Sequence, residues 1–241
     1  MRYIVIADIH SNIQALDSVV RSFSKLGGGK IICAGDIVGY GANPNECIEK
    51  MVVLGAETVL GNHDSAVLGR TPTSYFNEYA ARALEWTKGQ VAVSHFDYLN
   101  KLPLVIETGD LTLVHGTLHE PGEFNYMLAG SDAMHTFECM KNNICFVGHS
   151  HVPGIFAYKN GKIFELFKRE IRVEPGVLYI VNVGSVGQPR DRDNRACYCV
   201  YDTDRFKLKF YRVDYDVKTA RSSIINAGLP VMLGDRLLTG R

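Results

Sequence analysis

The chain has 241 residues, 46% of them hydrophobic, and its 26 basic residues balance 26 acidic ones. That length and apolar share suit a globular protein with a sizeable core and exclude a disordered or fibrous chain. A formal charge of zero disfavours a nucleic-acid polymer as partner, because polymer binders carry a basic excess.

In chain order, the first expected element is a buried strand over 3–7, Tyr-Ile-Val-Ile-Ala. A helix over 12–26 follows, with Ile13, Leu16, Val19, Val20 and Phe23 at helical spacing, and Gly27-Gly28-Gly29 stops it. A strand over 30–34 comes next. Pro44 then opens a helix with Asn43 as its N-cap and Cys47, Ile48, Met51 and Val52 on its inner face. A short strand over 57–60 completes a β-α-β-α-β order, which predicts a parallel sheet.

Apolar spacing predicts two more helices, over 74–88 and 90–102, the second ended by Pro103. Tyr75, Phe76, Tyr79 and Trp86 in this stretch read as core more than as a platform for bases. The segment 74–102 is expected as a helical flank or cap within one domain spanning 1–241. Strands over 105–107 and 111–115, a helix over 131–142 and a strand over 144–148 follow. Thereafter the chain turns β-rich, with strands over 154–158, 162–167, 177–183, 196–202 and 205–213. Asn160-Gly161 marks a hairpin and Asp202-Thr203-Asp204 a second turn. Gly228 and Pro230 break up the tail beyond Ala220. The layout predicts an α/β sandwich of the α+β kind: two mixed β-sheets packed face to face and flanked by helices. One sheet would come mostly from the N-terminal half and the other from the C-terminal half.

Six cysteines occur without a C-x-x-C. Cys33 and Cys145 lie in apolar runs, and Cys197 and Cys199 share a strand face. Buried free thiols are therefore expected over disulfides or a sulfur metal site. The start of the chain lacks a basic stretch leading into an apolar one, and no apolar run reaches membrane-spanning length. A soluble cytoplasmic protein is expected.

Five short motifs carry the chemistry, and four of them end a hydrophobic run: Asp8-Ile9-His10, Gly35-Asp36, Gly61-Asn62-His63-Asp64, His115-Gly116 and Gly148-His149-Ser150-His151. A polar ligand at the end of a buried strand is costly unless it has a job. Mixed carboxylate, amide and imidazole ligands suit Mn²⁺, Fe or Zn²⁺ better than Ca²⁺ or Cu(I). A pair of such ions clamps an in-line phosphoryl displacement and turns a bridging water into hydroxide near neutral pH.

In this order the five motifs resemble those of the calcineurin-like metallophosphoesterase family, over residues 3 to about 190. The resemblance implies the metallo-dependent phosphatase fold with two divalent metal ions at the strand ends. It implies Asp8, His10 and His151 on one metal, Asn62, His115 and His149 on the other, and Asp36 bridging. It also makes Asn62 and His63 catalytic residues, His63 as a general acid or transition-state stabiliser facing the substrate. The Ser/Thr protein phosphatases continue the second motif as Asp-Arg-Gly, whereas here Gly39 and Tyr40 stand in place of the acid and the arginine. His63 then needs another orienting partner, and the adjacent Asp64 is the open question. The run 35–44 and the segment 182–190 resemble instead the small prokaryotic phosphodiesterase and diadenosine-tetraphosphatase-like branch. Arg190 and Tyr40 are the candidate substrate-binding residues, with a salt bridge from Arg190 to Asp191 or Asp193 as its competing use. His119 is a weaker candidate for a cleft contact.

The expected function is a metal-dependent phosphoesterase that hydrolyses a small phosphorylated substrate by a dinuclear-metal-activated hydroxide. A symmetrical dinucleoside tetraphosphate hydrolase and a protein phosphatase are the alternatives, with a nuclease or a non-catalytic scaffold behind them. No membrane partner is expected, and the oligomeric state, a homodimer included, is left open.

Overall fold

The computed structural model describes residues 1–241. Its plan follows from the alternation within β1 (Arg2–Ile6): Ile4 and Ile6 point to one apolar cluster, Tyr3 and Val5 to another. The first cluster lies against α1 (Ile13–Lys25) and α2 (Pro44–Val53), which contribute Leu16, Val19, Ile48 and Met51. The second fills the space between two sheets, where Val5 and Ile32 meet Phe146 and Val181. A strand buried on both faces reads as an unbroken apolar run, and this one does.

One sheet joins β1 to β2 (Lys30–Cys33) and β3 (Glu57–Thr58), all parallel. It then continues from the other side of β1 through the antiparallel β11 (Ala196–Asp202) and β12 (Lys207–Val213) to β9 (Glu170–Arg172). The other sheet runs β4 (Val105–Glu107), β5 (Thr112–Val114), β6 (Ile144–Val147), β10 (Leu178–Asn182), β7 (Gly154–Lys159) and β8 (Lys162–Leu166). Here β5, β6 and β10 are parallel. Two mixed six-stranded sheets stacked between helical layers match the expected sandwich. The division into halves does not hold. The first sheet takes β9, β11 and β12 from residue 170 onward, because alternation marks a strand but not its partner.

Between β3 and β4 lie α3 (Asn62–Val67), α4 (Glu78–Gln90) and α5 (Val93–Asn100). Helix α4 starts four residues later than the spacing suggests, because the Asn77 side chain accepts from Ala80 N at 3.1 Å and caps it there. Helix α6 (Gly130–Cys139) covers the outer face of the second sheet. The tail forms α7 (Val217–Asn226) and α8 (Val231–Asp235), which pack on α4 through Ala80, Ala83, Ile224 and Leu233. All six cysteines are free and only Cys139 is exposed. No helix is long and apolar enough to cross a membrane.

Candidate metal centre

The C-terminal ends of β1, β2, β3, β5, β6 and β10 open at one edge of the sandwich, and the motif loops follow them. Ligand sites in open α/β sheets form at this edge. The loops are tightly bent. Asp8, His10, Asp36, His149 and His151 all sit at positive φ, between 49° and 69°. For residues with a Cβ such a conformation costs on the order of 1–3 kcal/mol each, and it persists only where the surroundings impose it. Here backbone bonds between loops impose it: Asp8 N donates to Gly35 O (3.0 Å), Ile9 N to Asp36 O (2.8 Å), Gly148 N to His115 O (2.9 Å) and Gly187 N to Asp8 O (2.9 Å). Gly61 must lack a side chain, since a Cβ there would run into Asp36 Oδ1.

These loops bring the seven ligand candidates of the sequence together. Asp8, His10 and His151 form one buried group, and Asp36, His115 and His149 form another. Asn62 Oδ1 joins the second, 2.9 Å from His115 Nε2. Asp36 lies between them, with Oδ2 3.6 Å from His10 Nε2 and 3.4 Å from His115 Nε2.

The hydrogen bonds define which nitrogens face inward. His10 Nδ1 donates to the Val38 carbonyl (3.0 Å), His115 Nδ1 to Ala34 (2.7 Å) and His151 Nδ1 to Gln188 (2.7 Å). A carbonyl only accepts, so these Nδ1 atoms carry protons and, in a neutral ring, Nε2 presents a lone pair. Yet His10 Nε2 and His151 Nε2 face each other at 3.0 Å. Two opposed lone pairs repel unless a proton or a cation lies between them. Asp36 Oδ2 is buried without a hydrogen-bond partner, which is costly for a carboxylate oxygen. Both features fit a divalent cation, and the donor set of carboxylate, amide oxygen and imidazole suits Mn²⁺, Fe or Zn²⁺.

Protonation follows from burial and neighbours. Burial pushes Asp8 well above the carboxylate range. Burial opposes ionisation of Asp36 too, but the charged His115 imidazole beside it outweighs that and holds the carboxyl low. Burial lowers His10, His149 and His151 well below the usual imidazole range, so they are neutral and ready to ligate. It would also lower His115, but the Asp36 carboxylate outweighs it and raises that ring to about 9. Cation binding must then displace protons from Asp8 and His115. Uptake of Mn²⁺ by chelator-stripped protein should therefore tighten steadily from pH 6 to pH 9, with proton release seen by calorimetry in buffers of different ionisation enthalpy. Uptake independent of pH would contradict this proton count.

His63 stands in the same centre, its ring 4.8 Å from that of His10. Asp64 does not orient it. The Asp64 carboxylate accepts instead from the backbone N–H groups of Asp36 (2.9 Å), Val38 (3.1 Å) and Gly61 (3.1 Å), tying the second motif to the third. Asp64→Ala would leave three buried donors unmet and should destabilise the fold by about 2–5 kcal/mol. A thermal unfolding midpoint equal to that of the wild type would contradict that role. What holds His63 is packing. Its Nδ1 is buried without a partner and points at Gly39, where a Cβ would collide with it. Tyr40 lies against the ring at 4.4 Å and Phe76 meets it edge-on at 5.0 Å. Gly39 and Tyr40, standing where protein phosphatases carry acid and arginine, thus form two walls of an aromatic box.

Arg190 reaches the centre from the loop after β10. Its Nε and Nη2 donate to Gln188 Oε1 (3.3 and 2.8 Å), and its guanidinium lies 5.6 Å from the Tyr40 ring centre. It makes no ion pair. Asp191 is taken by Arg212, and Asp193 pairs with Arg195 at 2.7 Å. His119 lies elsewhere, half-exposed, paired with Glu120 and with its ring 5.3 Å from that of His135. Sequence reasoning missed Phe76 as a contact of His63, Gln188 as the acceptor for His151, and Tyr126, whose ring stacks on His149 at 3.8 Å. Nothing in the spacing of these residues signals such contacts, because each is made across the chain.

Residues 1–205 match the calcineurin-like phosphoesterase superfamily domain. The uncharacterized protein MJ0912 of Methanocaldococcus jannaschii is 40% identical over 98% of this chain and 97% of its own length. A metallophosphoesterase from Sphaerobacter thermophilus is 37% identical, with a TM-score of 0.86, over 100% of this chain and 99% of that one. The protein PH1004 of Pyrococcus horikoshii OT3 shares the fold at 21% identity, with a TM-score of 0.79 over 100% of this chain and 98% of that one. With its motifs gathered at one sheet edge and the match covering most of its length, this chain belongs to the calcineurin-like phosphoesterase superfamily.

Proposed function

We propose that the protein hydrolyses phosphoester or phosphoanhydride bonds of a small substrate, with two divalent cations, Mn, Fe or Zn, as cofactors. Asp8, His10 and His151 would hold one cation, Asn62, His115 and His149 the other, and Asp36 both. The observation that carries this reading is the Asp36 Oδ2 atom, buried and unpartnered, between imidazole nitrogens of the two groups. When bound, such cations supply Lewis-acid stabilisation of phosphoryl oxygens and lower the pKa of water toward neutrality.

The chain's own residues supply the rest. Arg190 has no acid partner, so its guanidinium is available for a bidentate grip on phosphoryl oxygens. Burial pushes the His63 imidazole down to about 4, so at neutral pH it acts as a neutral N–H donor toward the leaving oxygen. Tyr40 supports both, under the guanidinium and beside the imidazole. The box around His63, built without an acid, speaks against a protein phosphatase.

The test is chelator-stripped protein reloaded with Mn²⁺, with metal content measured. It is then assayed on a bis-aryl phosphate, an aryl phosphate, a cyclic nucleotide, diadenosine tetraphosphate and a phosphopeptide. Two cations per chain and turnover of a small substrate are expected. A protein that binds no cation and turns over none of them overturns the reading, and preference for the phosphopeptide restores the protein-phosphatase alternative.

A further inference from the structure

The loop 116–129, between β5 and α6, brings Tyr126 onto the metal centre. Its ring lies nearly parallel to that of His149, at 3.8 Å and 21°, and the residue is 50% exposed. One face thus covers a proposed metal ligand while much of the ring remains open to solvent.

Beyond Tyr126 the surface turns apolar. Met127 and Leu128 lead into a groove of about 240 Å³ walled by Val152, Pro153, Phe156 and Phe167. Leu128 is 71% exposed and Phe167 92%, a degree of exposure that costs a soluble protein unless something covers it. Ser150, which stands between the candidate ligands His149 and His151, also lines the groove, so it starts at the metal-centre loop itself. Asn182 fixes that join, donating to Gly148 O at 2.6 Å and Ser150 Oγ at 2.9 Å. The one ionisable side chain in the lining, Glu165, is held by the Gly130 N–H at 3.1 Å. An anionic group finds no partner there, while Arg190 offers one at the centre.

We infer that Tyr126 and this groove form the subsite for the non-phosphate part of the substrate, an aromatic group such as a nucleobase or aryl ring that stacks on Tyr126. The inference rests on the phosphoesterase reading and narrows it to phosphoesters that carry such a ring. Stacking on an aromatic side chain is sequence-tolerant and needs only a planar partner. The groove, continuous with the metal-centre loop, receives what extends past the ring.

The test compares two diesters with the same p-nitrophenyl leaving group, one carrying a phenyl ester and the other a methyl ester, on the Mn²⁺-loaded protein. The wild type should favour the phenyl diester in kcat/KM. In Tyr126→Ala that preference should fall about tenfold or more, the change expected for one lost ring stack. Tyr126→Phe should restore it, and Phe167→Asp should weaken it. Bound metal should equal that of the wild type in every variant. Equal losses on both diesters together with lost metal would mean that Tyr126 only braces His149, and would overturn the inference. An unchanged preference in Tyr126→Ala would overturn it too. So would a Phe167→Asp variant that keeps its preference but changes mass by light scattering, because the groove would then be an interface between copies. If neither diester is hydrolysed, the catalytic reading fails. Binding of phenylphosphonate against methylphosphonate, measured by calorimetry on the same variants, then decides the subsite alone.

Discussion

Asp36→Asn should abolish turnover and reduce bound metal while leaving the fold intact. The Asp36 carboxylate serves two purposes. Oδ1 accepts from His63 N at 2.9 Å and so ties the second motif to the third. Oδ2 is buried, has no hydrogen-bond partner, and lies within 3.6 Å of both His10 Nε2 and His115 Nε2. An asparagine can keep the first contact through its amide oxygen. It then turns an N–H₂ group toward the place where two cations would share an anion, and it removes the charge that raises His115. Loss on the order of a thousandfold or more is expected, at or above the upper end for removal of one preorganised electrostatic group. Turnover and metal content per chain measure it, and full retention of both would contradict the bridging role.

His63→Ala should instead keep the metal and lose rate, by about 10²- to 10⁴-fold, the usual range for one positioned proton donor. Asp36 holds the backbone N–H of residue 63, which alanine preserves, so the link between motifs survives. The imidazole itself is fixed by shape, between Tyr40, Phe76 and His10, with Nδ1 against Gly39. The sign of the pH effect follows. Burial lowers this pKa to about 4, so the ring stays neutral above that value and its donor N–H persists as pH rises through 6 and 7. The wild type should therefore show no loss of rate with an apparent pKa near that of a free imidazole on the alkaline side. Metal loss in His63→Ala would show that His63 is a ligand.

The roles of the motif residues differ in how visible they were. Asp8, His10, Asp36, Asn62, His115, His149 and His151 could be picked out because their motifs follow strands, four of them unbroken apolar runs, which is a local pattern. That they come together depends on β1, β2, β3, β5 and β6 opening at one edge, and the apolar runs and β-α-β order already pointed there. The Asp64 role was not visible, because a carboxylate next to His63 in sequence points away from it and into the backbone of another loop. Arg190 was ambiguous in sequence among adjacent acids. Its freedom appears only once Arg212 and Arg195 are seen to take Asp191 and Asp193.

The amino-acid order by itself determined the strand and helix types over most of the chain, the sandwich class, the family and the seven ligand candidates, since all of these rest on short-range spacing. Only the tertiary structure decided that β11, β12 and β9 complete the first sheet, that Phe76 and Tyr40 box His63, and that Tyr126 lies on His149. The reason is physical: strand pairing and ring packing join residues well separated in the chain, such as His63 with Phe76, Tyr126 with His149 and Arg2 with Asp202. Hydrophobic periodicity states which face of an element is buried, but not which distant element buries it.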